Sequence, residues 1–318
     1  MKARAYVGYL SLLAAVTLGP QARAEALHYG WQEVDGLNIF YREGGNPDAP
    51  TLVFLHGYPA SSIQYEKVME RIASPALHVI AMDYPSFGYS DAPDHAQYAY
   101  TFDHIAETVQ HFLMARGIKR YALFMQDYGV PVGFRLLSSD PDAISAVMVQ
   151  NGVIHLDGFP KAQDPNGELR QHWEHRNAAL DQRRIAYVMG LKFPEPKGWD
   201  EEEKMSPDAI LLMVESAQRP GVPVARTDLW FDYGNNVKRY PAWQAALRQL
   251  HPPVLVVWGS RDDFFTTPGA LAYLRDAPQA EVHILDTVHF ATLEEPDTIA
   301  RLILDFVARH SLDAKPGT

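Results

Sequence analysis

Residues 121–130 read Tyr-Ala-Leu-Phe-Met-Gln-Asp-Tyr-Gly-Val, an apolar run that passes directly into a helical pattern. The run Tyr121–Met125 predicts a strand, and the pattern from Val130 to Ser138 predicts a helix. Asp127 is therefore expected on a sharp strand-to-helix turn, where the protein fold exposes a nucleophile, and Gly129 leaves room for a tight turn. The alternative is that Asp127 only caps the helix, which aspartate does well.

On both sides of this turn, short apolar runs alternate with longer helical patterns over residues 25–154 and 242–318. The alternation predicts an α/β fold with a mainly parallel sheet flanked by helices. The intervening residues 155–241 have helical patches and many aromatic residues but no buried-strand run, so we expect a helical cap. We expect a minority of the cap aromatics to face the cleft. The predicted strands are Leu37–Tyr41, Thr51–Leu55, Val79–Met82, Tyr121–Met125, Ala146–Val149, Val254–Trp258 and Val282–Leu285; further helices are predicted around Thr101–Ala115, Pro268–Arg275 and Pro296–His310.

Two later turns carry an acid and a histidine, each just past the carboxyl end of a predicted strand. Gly259-Ser260-Arg261-Asp262 follows one strand, and Asp286-Thr287-Val288-His289 follows the next. The order nucleophile, acid, histidine predicts that Asp127, Asp262 and His289 act together. Asp263 is the neighbouring candidate for the acid, but the Gly-x-x-Asp spacing favours Asp262.

A fourth turn supplies backbone donors. The strand Thr51–Leu55 ends in His56-Gly57-Tyr58-Pro59. The N–H groups of Tyr58 and Tyr128 are expected to form an oxyanion hole, and we interpret His56 as a structural hydrogen-bonding residue.

These motifs together resemble those of α/β-hydrolase-fold enzymes of the epoxide hydrolase and haloalkane dehalogenase group. The resemblance covers essentially all of the chain after residue 24. It implies a helical cap inserted after the sixth strand, an aspartate nucleophile at Asp127 and a small-molecule substrate. A serine esterase is disfavoured because the chain has no G-x-S-x-G motif. The matching stretches are His56-Gly57-Tyr58-Pro59, Asp83-Tyr84-Pro85-Ser86-Phe87-Gly88-Tyr89-Ser90, Gln126-Asp127-Tyr128-Gly129, Gly259-Ser260-Arg261-Asp262 and His289-Phe290.

The identity of the nucleophile fixes the course of the reaction. A carboxylate that attacks an sp³ carbon becomes an ester, which water must then cleave, so His289 is expected to activate water. An epoxide also needs a proton donor for the leaving alkoxide. The stretch Phe231-Asp232-Tyr233-Gly234-Asn235 resembles the one that carries such a tyrosine in epoxide hydrolases, which assigns this role to Tyr233.

The second donor of epoxide hydrolases has no tyrosine at the matching place in this chain. His155, His172 and Trp173 are found there and are candidate substrate-binding residues. The pair His172-Trp173 is also similar to the pair with which fluoroacetate dehalogenases hold fluoride. We therefore expect an enzyme that opens epoxides to diols, with a haloalkane or haloacid dehalogenase as the alternative. A peroxidase or lyase on this scaffold, or a non-catalytic ligand-binding protein, stays open.

Composition excludes other classes of function. The net charge of −11 provides no basic field for nucleic acid, and the absence of cysteine excludes thiolate chemistry and disulfides. His172 and His175 lack a third ligand in the sequence and no phosphate loop follows the first strand, so no metal and no cofactor are expected.

The first 24 residues have the pattern of a secretory signal. Lys2 and Arg4 precede the apolar run from Ala5 to Leu18, and Ala22-Arg23-Ala24 matches a cleavage site. We expect a secreted or periplasmic protein without membrane attachment after cleavage; the alternative is a retained anchor. The sequence leaves the oligomeric state open.

Overall fold

The computed structural model describes residues 26–160, 167–192, 205–310 and 312, so the predicted signal at 1–24 lies outside the described residues. Within those residues, no helix is both long and apolar enough to cross a bilayer. One eight-stranded sheet organises the molecule. Its strands are β1 (His28–Val34), β2 (Leu37–Gly44), β3 (Thr51–Leu55), β4 (His78–Met82), β5 (Tyr121–Gln126), β6 (Ile144–Gln150), β7 (Val254–Gly259) and β8 (Glu281–Leu285).

The sheet is mainly parallel, as predicted. Its strands lie in the order β1-β2-β4-β3-β5-β6-β7-β8. Only β1 with β2 and β2 with β4 pair antiparallel. The sequence analysis missed β1, because an edge strand with one exposed face has no continuous apolar run. Trp31 in β1, for example, is 60% exposed.

Helices cover both faces of the sheet, because its central strands are buried on both sides. In β5, Leu123 and Met125 belong to the apolar core that includes side chains of α2 and α3. Ala122 and Phe124 point to the opposite core, with α1 and α10. The helices within the described residues are α1 (Glu66–Ile72), α2 (Phe102–Ala115), α3 (Gly129–Ser139), α4 (Glu168–Glu174), α5 (Ala178–Gly190), α6 (Pro207–Ala217), α7 (Val222–Leu250), α8 (Thr267–Ala272), α9 (Ala291–Glu294) and α10 (Pro296–Arg309).

The described part of the cap is helical and follows β6. It comprises α4, α5, α6 and the first part of α7, and α7 contacts each of the other three. The predicted boundary between cap and second core segment, at residue 241, lies inside α7 at Pro241. One continuous helix therefore joins the cap to the core.

Candidate active site

Asp127 occupies the turn between β5 and α3 with a left-handed backbone. Its φ is +48°, a region that side chains other than glycine rarely adopt. Glycine is required two residues later, because a Cβ atom on Gly129 would lie 2.0 Å from the carbonyl oxygen of Leu55. The Asp127 carboxylate accepts a bond from another loop instead of capping α3, and α3 begins without a side-chain cap.

Two backbone N–H groups hold the Asp127 carboxylate. The N–H of Tyr58 donates to Oδ1 at 2.6 Å, and the N–H of Tyr128 donates to the same carboxylate. Burial raises the pKa of Asp127, and the charge of His289 and the two N–H donors offset only part of that effect. The two backbone donors predicted from the sequence thus both bind the Asp127 carboxylate.

The Asp262 carboxylate accepts hydrogen bonds from four donors, one of which is His289. His289 Nδ1 lies 2.8 Å from Asp262 Oδ2, which also accepts a bond from Asn151 Nδ2 at 2.6 Å. The other oxygen accepts the backbone N–H groups of Phe264 and Phe265 at 2.7 and 3.1 Å. These bonds prevent the Asp262 carboxylate from rotating, so it holds the imidazole of His289 in one orientation.

His289 lies between Asp262 and Asp127. Its Nε2 lies 3.9 Å from Asp127 Oδ2, too far for a direct hydrogen bond. Burial lowers the pKa of His289, but the charge of Asp262 and its hydrogen bond outweigh that effect, so the pKa is raised. With Nδ1–H donated to Asp262, Nε2 has a lone pair with which to accept a proton.

Gln126 is a site residue that sequence reasoning missed. Its amide nitrogen lies 2.7 Å from His289 Nε2. Gln150 donates from its own amide to the His289 carbonyl at 3.0 Å. Both lie at the carboxyl end of a strand, which is the one signal that could have found them.

A cavity of about 110 Å³ lies above the Asp127 carboxylate, between the sheet and the cap. Its walls are aromatic apart from Pro59, Asp127, Arg184 and His289. The aromatic lining residues are Tyr58, Tyr128, Phe159, Trp173, Tyr187, Trp230, Tyr233, Phe264, Phe265 and Phe290. Five of these aromatic residues belong to the predicted cap segment 155–241, namely Phe159, Trp173, Tyr187, Trp230 and Tyr233.

Tyr233 and Trp173 form one wall of this cavity. Their rings are stacked with centroids 5.1 Å apart. The Tyr233 hydroxyl lies 3.3 Å from the hydroxyl of Tyr240, and burial raises the pKa of Tyr233 well above its usual value. Trp173 Nε1 is buried and, within the described residues, has no hydrogen-bond partner. Both residues line the cavity.

The structure places His155 and His172 outside the lining of the cavity. His155 Nε2 lies 2.6 Å from Asp276 Oδ2, and His172 Nε2 lies 2.9 Å from Asp181 Oδ1. Each ring is buried and bonded to a carboxylate, as expected for a structural residue rather than a substrate ligand. His172 and Trp173 are adjacent in the sequence, but Trp173 lines the cavity whereas His172 faces α5.

Within the described ranges, no three His, Asp or Glu side chains come together in a way that could hold a metal ion.

Comparison with known proteins agrees with this architecture. The family model of the α/β hydrolase fold matches residues 50–296. An uncharacterized hydrolase of Saccharomyces cerevisiae is 34% identical over 284 residues, which cover 88% of this chain and 96% of that protein. A haloalkane dehalogenase of Psychrobacter cryohalolentis is 25% identical over 282 residues, covering 85% and 88% of the two chains.

Two solved structures share the fold at low sequence identity. The epoxide hydrolase CorEH superposes with a TM-score of 0.70 at 19% identity, covering 89% of this chain and 99% of that one. A loop variant of the haloalkane dehalogenase DbeA from Bradyrhizobium elkanii gives 0.72 at 21% identity, covering 89% and 96%. The predicted fold class is therefore confirmed.

Proposed function

The chain belongs to the α/β-hydrolase fold family and is a hydrolase, and from that premise we propose that it opens small epoxides to diols, with Asp127 as a covalent nucleophile. The observation that carries this proposal is the position of a carboxylate between two oxyanion-hole donors, at the floor of an aromatic cavity. A carboxylate in this place can become an ester whose carbonyl is already polarised.

In the first step, an Asp127 oxygen attacks an epoxide carbon and displaces the ring oxygen. The electron pair of the broken C–O bond goes to that oxygen, which takes a proton from the Tyr233 hydroxyl. A raised pKa keeps Tyr233 protonated and able to donate at neutral pH. Tyr240 can donate to the Tyr233 oxygen and so direct the Tyr233 proton toward the ligand.

In the second step, His289 Nε2 removes a proton from water, which attacks Cγ of the Asp127 ester. The N–H groups of Tyr58 and Tyr128 stabilise the tetrahedral oxyanion, and Asp262 stabilises the imidazolium. Collapse expels the alcohol oxygen, which takes the proton from His289. One oxygen of water thereby remains in the Asp127 carboxyl group, whose proton passes to the Tyr233 phenolate left by the first step and so restores both side chains.

Trapping the ester tests this proposal. In His289→Gln, alkylation proceeds but water is not activated, so incubation with an accepted epoxide should give an adduct on Asp127 by intact-mass spectrometry. His155→Gln is a matched control, because it changes another buried histidine bonded to a carboxylate, and it should give no adduct. Persistent turnover by His289→Gln with an unmodified mass would refute the mechanism.

Dehalogenation is the second candidate, and the unpaired indole nitrogen of Trp173 favours it. Trp173 lines the cavity and its buried Nε1 has no partner among the described residues, and an indole N–H that reaches the ligand could hold a departing halide together with the Tyr233 hydroxyl. Parallel assays of epoxides, haloalkanes and haloacids separate the two chemistries. Diol formation supports the first candidate and halide release the second.

Export is a further part of the proposal. The charged residues Lys2 and Arg4, the apolar run and Ala22-Arg23-Ala24 support cleavage before Glu25 and a location outside the cytoplasm. N-terminal sequencing of the exported protein should begin at or near Glu25. A sequence beginning at Met1 would contradict it.

A further inference from the structure

Arg184 is a cation in an otherwise aromatic cavity wall. Its guanidinium carbon lies 4.0 Å from the centre of the Trp230 ring and 4.8 Å from that of Tyr58. Its Nε is buried and has no hydrogen-bond partner within the described residues. Buried N–H donors are normally hydrogen-bonded, so this one is available to an acceptor on a ligand in the cavity.

The acidic side chains nearest along α5 and α7 are occupied elsewhere. Asp181 accepts bonds from Arg176 and His172 at 2.7 and 2.9 Å. Asp228 lies 2.6 Å from the other end of the Arg176 guanidinium. Although the chain carries 39 acidic against 28 basic residues, Arg184 makes no ion pair within the described part of the chain.

A second guanidinium strengthens the positive field on this side of the cavity. Arg226 is fully buried behind the Tyr58 ring, with its guanidinium carbon 5.8 Å from the ring centre. It donates to the carbonyl of Ser86 at 2.9 Å, and two of its nitrogens have no partner in the described residues. The two cations flank Tyr58, whose backbone holds the nucleophile.

We propose that Arg184 makes this cavity selective for small organic electrophiles that carry a carboxylate, by binding that carboxylate with its guanidinium. Arginine matches a carboxylate through a two-pronged, charge-assisted hydrogen bond. The positive charge also offsets the repulsion between such a substrate and Asp127. The inference rests on the proposed function only in taking this cavity as the substrate site.

Binding can be measured without turnover in the Asp127→Asn background. Butyrate and its neutral isostere butyramide are the probes, with affinity followed by titration calorimetry or by the fluorescence of Trp173 and Trp230. We expect butyrate to bind at least 10-fold more tightly than butyramide. Adding Arg184→Gln should lower the affinity for butyrate about 10- to 100-fold and change the affinity for butyramide less than 2-fold.

Two further variants control for folding and for general charge. Arg184→Lys keeps the cation but not the planar fork, so it should recover part of the butyrate affinity. Arg183→Gln removes an exposed arginine of the same helix that does not line the cavity, and should leave both affinities unchanged. Melting temperatures show whether each variant is folded.

Two outcomes overturn the inference: equal affinity for the two probes, or equal weakening of both by Arg184→Gln. Turnover of neutral epoxides without any carboxylate preference would leave the proposed function intact and remove the role of Arg184. Selective butyrate binding by a protein that hydrolyses no electrophile would support the role of Arg184 and contradict the proposed function. The two failures are therefore distinguishable.

Discussion

The floor and the cap-side wall of the cavity differ in how their polar groups are bonded. At the floor, Asp262 accepts four hydrogen bonds and both the carbonyl and the ring of His289 are held in place. At the wall, Trp173 Nε1 and Arg184 Nε are buried without partners among the described residues. The bonds at the floor hold the Asp262 carboxylate and the His289 ring in one arrangement, whereas the unpaired donors of Trp173 and Arg184 on the wall are free to bind a ligand.

Removal of the proposed nucleophile at the floor should have the largest effect on activity. Asp127→Asn should lower turnover by about 10⁴-fold or more, because no ester can form. The same change should raise the melting temperature at neutral pH. The folded-state pKa of Asp127 is raised above its unfolded value, so the ionised carboxylate destabilises the fold above that pKa.

Kinetic assays and thermal melts of Asp127→Asn at pH 7 test both parts. Residual turnover above about 1% of the parent rate would remove Asp127 from the role of nucleophile.

Removal of the hydroxyl on the wall should have an intermediate effect. Tyr233→Phe should slow the alkylation step about 10- to 1000-fold and change hydrolysis of a preformed ester less, because in the proposed mechanism the hydroxyl donates its proton only in the alkylation step. Tyr240→Phe should slow alkylation by less, since Tyr240 acts through Tyr233.

Single-turnover kinetics beside thermal melts separate rate from stability in these variants. Unchanged alkylation of an accepted epoxide by Tyr233→Phe would take Tyr233 out of the mechanism and favour the dehalogenase.

A change of pH should affect the two steps differently. Ester hydrolysis needs neutral His289, whose pKa is raised, so it should fall about tenfold per pH unit once the pH drops below that value. Alkylation needs ionised Asp127 and should persist until the pH falls through the pKa of that carboxyl. The ester should therefore accumulate in the parent enzyme at mildly acidic pH, as measured by quenched-flow mass spectrometry. Loss of both steps at one common pH would contradict this order.

The smallest effect on rate is expected at His172, which sequence analysis had proposed as a substrate ligand. His172→Gln breaks a buried hydrogen bond to Asp181, so the melting temperature should fall while kcat/KM changes less than about 3-fold. A loss of kcat/KM above 10-fold in a stably folded variant would return His172 to the substrate site.

The floor of the cavity was accessible to sequence reasoning because local patterns place it. Asp127, Asp262 and His289 each follow a strand, and the carboxyl ends of parallel strands meet at one edge of a sheet. The edge strand β1 was not predicted, since its exposed face breaks the apolar run. Gln126 and Asn151 were not predicted as site residues either, because no sequence motif distinguishes an amide side chain that positions a site residue from one with a purely structural role.

By itself, then, the sequence determined the α/β alternation and the placement of Asp127, Asp262 and His289 at successive strand-end turns, because such turns are local features. Only the tertiary structure decided which cap side chains reach the cavity. Trp173 and His172 are neighbours in sequence, yet the helix turns them to different partners. Arg184 stands out only once the surrounding acids are seen to be paired elsewhere, a property that depends on packing between segments far apart in the chain.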